Sequence, residues 1–169
     1  MSTETKKECS SPEKQPVWSA EDLSSNPHVA SDKAQRVEAM FDSISHRYDL
    51  NNRIHSFCLD QQWRRRAVAL SAIQPQEHVV DVACGTGDLS IAFAKANANS
   101  VIGIDFTQGM IDLAKQKAKQ ENLAIEFLHG DAMSLDLPNE CADVISIAFG
   151  IRNVQEPAIA IKEFYRVLR

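Results

Sequence analysis

The sequence predicts an α/β fold, a parallel sheet with helices on both faces. Three observations predict it. From His78 onward, short apolar runs of strand length alternate with stretches of helical periodicity. The first of these runs leads into a glycine-rich turn that opens a helix. The second run ends on an acid, Asp105, close to the ~20-residue spacing past Gly87 that such turns favour.

The elements follow in order. Residues 1–33 are rich in Ser, Glu, Lys, Pro and Asn, and only Val17, Trp18, Leu23 and Val29 break the polarity. They bury too little apolar surface to offset ordering entropy and read as a disordered tail. Glu4, Glu8, Glu13, Glu21 and Asp22 argue against a transit peptide. The ordered domain is expected over 34–169, with N-terminal helices over 34–72 and a strand–helix core over 77–169. Val37, Met40, Phe41 and Ile44 have the spacing of one helical face. A second helix is expected over 60–71, with Trp63, Ala67 and Leu70 turned inward.

Residues 78–83 form the first strand, followed by a turn and a helix over 89–96. Residues 101–106 form the second strand. Thr107 then caps a helix whose shared face carries Met110, Leu113, Ala114 and Lys117. Strands are expected over 125–128 and 142–149. The last helix has Pro157 in its first turn and a buried stripe of Ile161, Phe164, Tyr165 and Leu168. The strand over 142–149 is apolar on both faces, as in the interior of a sheet. Further strands are therefore expected beside it, and the core reads as incomplete, with its C-terminal strands missing.

Composition narrows the function. The 169 residues suit one domain, and an apolar fraction of 44% suffices for a core. A net charge of -5 argues against nucleic acid as the partner. Cys9, Cys58, Cys84 and Cys141 form no metal-type or disulfide spacing, and no metal is expected. No stretch approaches the ~20 apolar residues of a membrane span. The expected location is cytoplasmic, or peripheral at the inner face of the membrane.

The stretch Val79-Val80-Asp81-Val82-Ala83-Cys84-Gly85-Thr86-Gly87-Asp88 carries the chemistry. Gly85 and Gly87 allow a tight turn and close approach to a ligand. Amides at the helix start offer donors and partial positive charge. Asp105 is placed to accept from two ribose hydroxyls, and Asp131, in Gly130-Asp131-Ala132, to accept from an adenine amine. Against NAD, the third glycine position of its motif is Ser90, and that motif calls for no acid at Asp81. The pattern points to S-adenosylmethionine and a Rossmann-like methyltransferase fold.

Two further strings narrow the class. One is Phe41-Asp42-Ser43-Ile44-Ser45-His46-Arg47-Tyr48-Asp49-Leu50-Asn51-Asn52, ahead of Trp63-Arg64-Arg65. The other is Phe149-Gly150-Ile151-Arg152-Asn153-Val154. With the glycine loop they resemble the demethylmenaquinone and ubiquinone-pathway C-methyltransferases, the UbiE/MenG family, from about Val37 to Arg169. The resemblance implies methyl transfer from S-adenosylmethionine to a ring carbon of a prenylated hydroquinone. It implies cofactor contacts at Thr86, Asp105, Asp131 and Ala132. A further contact position, commonly serine in the family, is Ala148 here. In the family, Arg-Val-Leu is followed by a Pro-Gly-Gly turn and three more strands.

Arg152 is the candidate to stabilise a developing phenolate, and Tyr48, Asp49 and His46 to cover the site or assist proton transfer. Each has a structural alternative. Arg152 pairs with Asp49 or Asp143, Tyr48 packs a helix on the sheet, and His46 is a surface residue. The Arg64–Arg66 run is a solvated helix face or an attraction to anionic lipid. Cys84 fills space in the loop. The competing functions are methylation of another small molecule, a truncated chain that holds the cofactor without turnover, and an NAD oxidoreductase. An uncovered edge strand also leads us to expect a homodimer.

Overall fold

A computed structural model of the chain describes Met40, Ser56 and residues 59–169. The expected tail, the helical face beginning at Val37 (Met40 apart), and His46, Tyr48 and Asp49 lie outside the described residues. The elements are α1 (Leu59–Ser71), β1 (His78–Val82), α2 (Asp88–Lys95), β2 (Ser100–Asp105), α3 (Gln108–Gln120), β3 (Glu126–His129), β4 (Val144–Ile147), a 3₁₀ turn (Gly150–Asn153) and α4 (Pro157–Val167). The strands form one parallel sheet in the order β3-β2-β1-β4.

The β1 sequence His-Val-Val-Asp-Val suits the middle of that sheet. β-Branched side chains pack well on a pleated surface, and a parallel strand covered on both faces needs them on both. Val79 and Val80 are both essentially buried, yet they point to opposite sides. Val79 joins Leu89, Phe93 and Val101 in a core beneath α2, with Val68 of α1 packed against it. On that same side Phe127 meets Ile111, Ala114 and Ala118 of α3. Val80 and Val82 join Ile104, Leu135, Ala142 and Val167 of α4 on the other. Helices therefore lie on both faces, as expected.

The helix ends obey simple rules. Gly87, at φ 81°, is the N-cap of α2, Asp88 places a carboxylate in its first turn, and Lys95 places a cation in its last. Pro157 starts α4. Thr107 occupies the N-cap of α3, but its hydroxyl makes no capping bond. Its carbonyl accepts from the amides of Met110 and Ile111 instead.

Two expected stripes are corrected. In α1, Trp63, Ala67 and Leu70 face outward, and Leu70 is 73% exposed. The inward side is Asp60, Gln61, Arg64 and Val68, because a polar network holds this helix to α2. Arg64 therefore belongs to no solvated face: it pairs with the buried Asp60 at 2.5 Å, while Arg65 and Arg66 remain exposed. In α4, Ala160 and Val167 are buried and Phe164 is half-buried, whereas Ile161, Tyr165 and Leu168 are exposed. The small Ala160 lets the helix approach the sheet along that line, about a quarter-turn from the stripe expected. In α3, Met110, Ile111, Ala114 and Ala118 are the buried set, with Leu113 and Lys117 half-buried beside them.

Among the described residues, β4 pairs with β1 alone, and all four of its residues are half-buried. No helix of the described residues is long and apolar enough to cross a membrane.

Candidate functional site

The C-terminal ends of the four parallel strands open onto one cavity of about 340 Å³. This is the small end of the range for small-molecule sites, and it lies where open α/β sheets bind ligands. Gly85, Asp105, Asp131, Ala132, Ala148 and Arg152 line it.

The loop after β1 is bent by three left-handed residues, Ala83 (φ 51°), Gly85 (φ 56°) and Gly87 (φ 81°). For Ala83 that conformation is strained, at a cost of roughly 1–3 kcal/mol that the surroundings must offset. They do so with fixed hydrogen bonds. The Cys84 amide donates to the Ile104 carbonyl (3.0 Å), and the Gly85 amide donates to Asp105 Oδ2 (2.8 Å). Gly87 has a second constraint: a Cβ there would lie 2.9 Å from the Phe127 ring. Gly150 has a comparable one, since its Cβ would come within 2.3 Å of Ala83 Cβ. The turn after β4 is thereby pressed against the loop after β1.

Asp105 holds the loop through both oxygens, Oδ2 as above and Oδ1 from the Thr107 amide at 2.9 Å. Burial raises its carboxyl above the usual range, and these amides oppose the rise. A carboxylate has about four lone-pair sites, so each oxygen keeps acceptor capacity for a ligand hydroxyl. Asp131 Oδ1 accepts from the Met133 amide (2.9 Å), and its carbonyl accepts from Ser134 (3.0 Å). The tight turn this makes presents Asp131, Ala132 and Met133 to the cavity.

Asp81, Thr86 and Gly87, also expected at the ligand, stand behind the lining. Asp81 is 1% exposed and accepts from Ser90 Oγ (2.6 Å) and Ser146 Oγ (2.7 Å). Burial pushes its carboxyl up to about 6, against the pull of the two serines. It ties β1 to α2 and β4. The Thr86 hydroxyl accepts from Lys117 Nζ (3.1 Å), and Lys117 also pairs with Asp88. Burial, with Asp81 and Asp105 near, pushes the Cys84 thiol well above its usual range, which suits a space-filling residue and not a nucleophile.

On the opposite wall, Phe149 (φ 63°) begins the 3₁₀ turn that carries Arg152. The Arg152 side chain is exposed, and among the described residues it makes no ion pair. Asp143 pairs instead with Arg169 (3.5 Å) and accepts from the His78 amide. The Trp63 ring of α1 lies against Phe149, with centroids 6.0 Å apart.

Sequence reasoning missed Phe106, Met110, Met133, Asn153 and Gln155 in the lining. It also missed Ser90 and Ser146 as partners of Asp81. Ser90 carried a signal: it stands where a dinucleotide motif has its third glycine, and it is the donor that the buried acid in β1 requires.

Comparison with known proteins bears on family and fold. The model of the ubiE/COQ5 methyltransferase family matches residues 29–169. The demethylmenaquinone methyltransferase of Deinococcus radiodurans is 43% identical over 138 residues, which are 81% of this chain and 57% of that protein. The ubiquinone/menaquinone biosynthesis C-methyltransferase UbiE of Geotalea daltonii is 41% identical over 142 residues, 82% of this chain and 60% of that one. The chain thus spans somewhat under two thirds of the length of these relatives. Among solved structures, a SAM-dependent methyltransferase from Aquifex aeolicus superposes with a TM-score of 0.59 at 24% identity, covering 63% of this chain and 58% of that one. This last likeness shows the fold.

Proposed function

The chain belongs to the ubiE/COQ5 methyltransferase family, and on that premise we propose that it carries the S-adenosylmethionine site of an enzyme that C-methylates the ring of a prenylated hydroquinone. The acceptor is demethylmenaquinol or its ubiquinone-pathway counterpart. The observation that supports this most is one cavity in which Gly85, Asp105, Asp131 and Ala132 share a space with Arg152.

The donor set fits the cofactor. The remaining lone pairs of Asp105 suit a ribose diol, Asp131 suits an exocyclic amine, and Phe106, Met110 and Met133 offer apolar surface for a purine. Ala148 supplies no hydroxyl, so any polar contact there falls to backbone. Asp81, Thr86 and Gly87 hold the loop in shape. When bound, S-adenosylmethionine supplies an electrophilic methyl group. Arg152 offers positive charge where a quinol hydroxyl becomes phenolate, which raises the nucleophilicity of the ring carbon. Phe149 and Trp63 put two contacting aromatic rings on that side. Tyr48 and Asp49 are assigned to covering the acceptor and taking its proton.

The same reading places the protein in the cytoplasm, in peripheral contact with a membrane that holds the prenylated acceptor. The exposed Arg65 and Arg66 support that contact. The edge of β4 that carries no strand among the described residues supports self-association as a homodimer.

Calorimetric titration with S-adenosylhomocysteine, followed by methylation of demethylmenaquinol, tests the proposal. One-to-one binding that is lost in Asp105→Ala is expected. A folded chain that does not bind would overturn the cofactor assignment. Binding without methylation of any quinol would mean cofactor retention without turnover or a different small-molecule acceptor.

A further inference from the structure

The polar contacts behind the glycine loop form a continuous path to α1. Lys117 Nζ of α3 donates to Thr86 Oγ1 inside the loop and to Asp88 Oδ1 at the start of α2. The other oxygen of Asp88 accepts from Gln61 Nε2 of α1 at 3.1 Å. That same Gln61 nitrogen donates to Asp60 Oδ2 at 3.2 Å. Asp60, 4% exposed, also gathers Arg64 (2.5 Å) and the Ser56 hydroxyl (2.9 Å). One amide nitrogen thus bridges two carboxylates, one on the loop's own helix and one inside α1. Two residues further along α1, Trp63 rests on Phe149 at the cavity wall.

The placement is selective. Among the described residues, α1 has only Val68 in the apolar core beneath α2, and its positions Trp63, Ala67 and Leu70 are exposed. Among the described residues, the contacts that seat α1 are largely directional polar ones, and they lead to the glycine loop. Amide–carboxylate bonds are sensitive to small shifts of either partner. The contact path from the loop to Gln61 runs through Thr86, Lys117 and Asp88.

We propose that Gln61 is a positioning residue that couples the glycine loop to α1, so that occupation of the cofactor side of the cavity resets Trp63 against Phe149 on the acceptor side. This rests on the cofactor reading above. It adds a physical link between the two halves of the site, carried through Thr86, Lys117, Asp88 and Gln61, which stand outside the cavity lining.

Trp63 reports on the link directly. The chain has two tryptophans, so Trp18→Phe leaves Trp63 as the single emitter. In that background, saturating S-adenosylhomocysteine should change Trp63 emission. Gln61→Leu keeps the side-chain bulk and removes the donor. It should abolish the emission change while calorimetric affinity for S-adenosylhomocysteine falls by no more than about tenfold. Gln61→Lys keeps a donor between Asp60 and Asp88 and should restore the change. A merely structural role for Gln61 would leave the emission response intact in both variants. The inference is overturned if S-adenosylhomocysteine binds the parent chain with no change in Trp63 emission. It is also overturned if Gln61→Leu binds and responds as the parent does. If calorimetry shows no binding by the folded parent, the cofactor reading itself fails, and this link falls with it.

Discussion

The two walls of the cavity are built by different means. On the loop after β1, the polar groups are tied down: Asp105 uses both oxygens on backbone amides, Asp81 holds two serines, and Lys117 spans Thr86 and Asp88. On the turn after β4, Phe149 is 50% exposed and Arg152 makes no ion pair among the described residues. The first wall is preorganised, so a ligand binding there spends little on ordering protein. The second presents a charge and an aromatic ring that ligand or further chain must organise. On the proposed function, the same contrast separates a nucleotide-type site from the part assigned to the acceptor.

This contrast can be broken or sharpened by substitution. Gly87→Val should have the largest effect. It combines a left-handed φ with a Cβ pressed on Phe127, and should lower stability by roughly 3 kcal/mol or more. Urea denaturation reads the loss, and S-adenosylhomocysteine binding should disappear with it. Asp105→Ala comes next. It frees the Gly85 and Thr107 amides and removes the acceptor for a diol, so affinity should fall at least about 100-fold by calorimetry, as for lost charge-assisted bonds. A folded variant binding as tightly as the parent would remove Asp105 from the cofactor wall.

The third test uses pH. Asp81 titrates near 6 in the folded chain, above its ordinary 3.8, because burial disfavours its charge. Between those values the folded state holds a proton that the unfolded state has released. Asp81 thus favours folding below about pH 4, and this contribution is lost as pH rises to about 6, by up to about 3 kcal/mol. Asp81→Asn should flatten that part of the profile. Thermal melts of both chains from pH 4 to 7 give the difference, and parallel profiles would show that Asp81 is not the group responsible. The smallest effect on stability should come from Arg152→Ala, within about 0.5 kcal/mol for an exposed residue with no ion pair among the described residues. Its effect belongs to turnover, which should fall about 100-fold with S-adenosylhomocysteine affinity unchanged. A large loss of stability would mean that the second wall is as tightly built as the first.

Much of this was legible in the residues. The alternation from His78 onward gave the parallel sheet, and the spacing of Gly85, Asp105 and Asp131 put three residues into one cavity. What was not legible depended on pairing across the sheet. Ser146 becomes a partner of Asp81 only because β4 lies beside β1 in a register that sets the two opposite each other. The outward turn of α1 was misread for a related reason. Trp63 and Leu70 are the larger apolar residues, but Asp60 and Gln61 have partners on α2 and the loop that periodicity cannot display. In α4, small Ala160 set the buried line where bulk suggested Ile161 and Tyr165.

The bond pair at Asp81 has a consequence for inheritance. Ser90 and Ser146 lie on different elements, and Ser146 is 65 residues along the chain from the acid they share. Either serine replaced alone takes one hydroxyl donor from a buried carboxylate, whereas replacing all three positions by apolar residues of matching volume removes the demand altogether. Positions 81, 90 and 146 should therefore change together across descendants of this gene, drifting as a trio while the glycines beside them stay fixed.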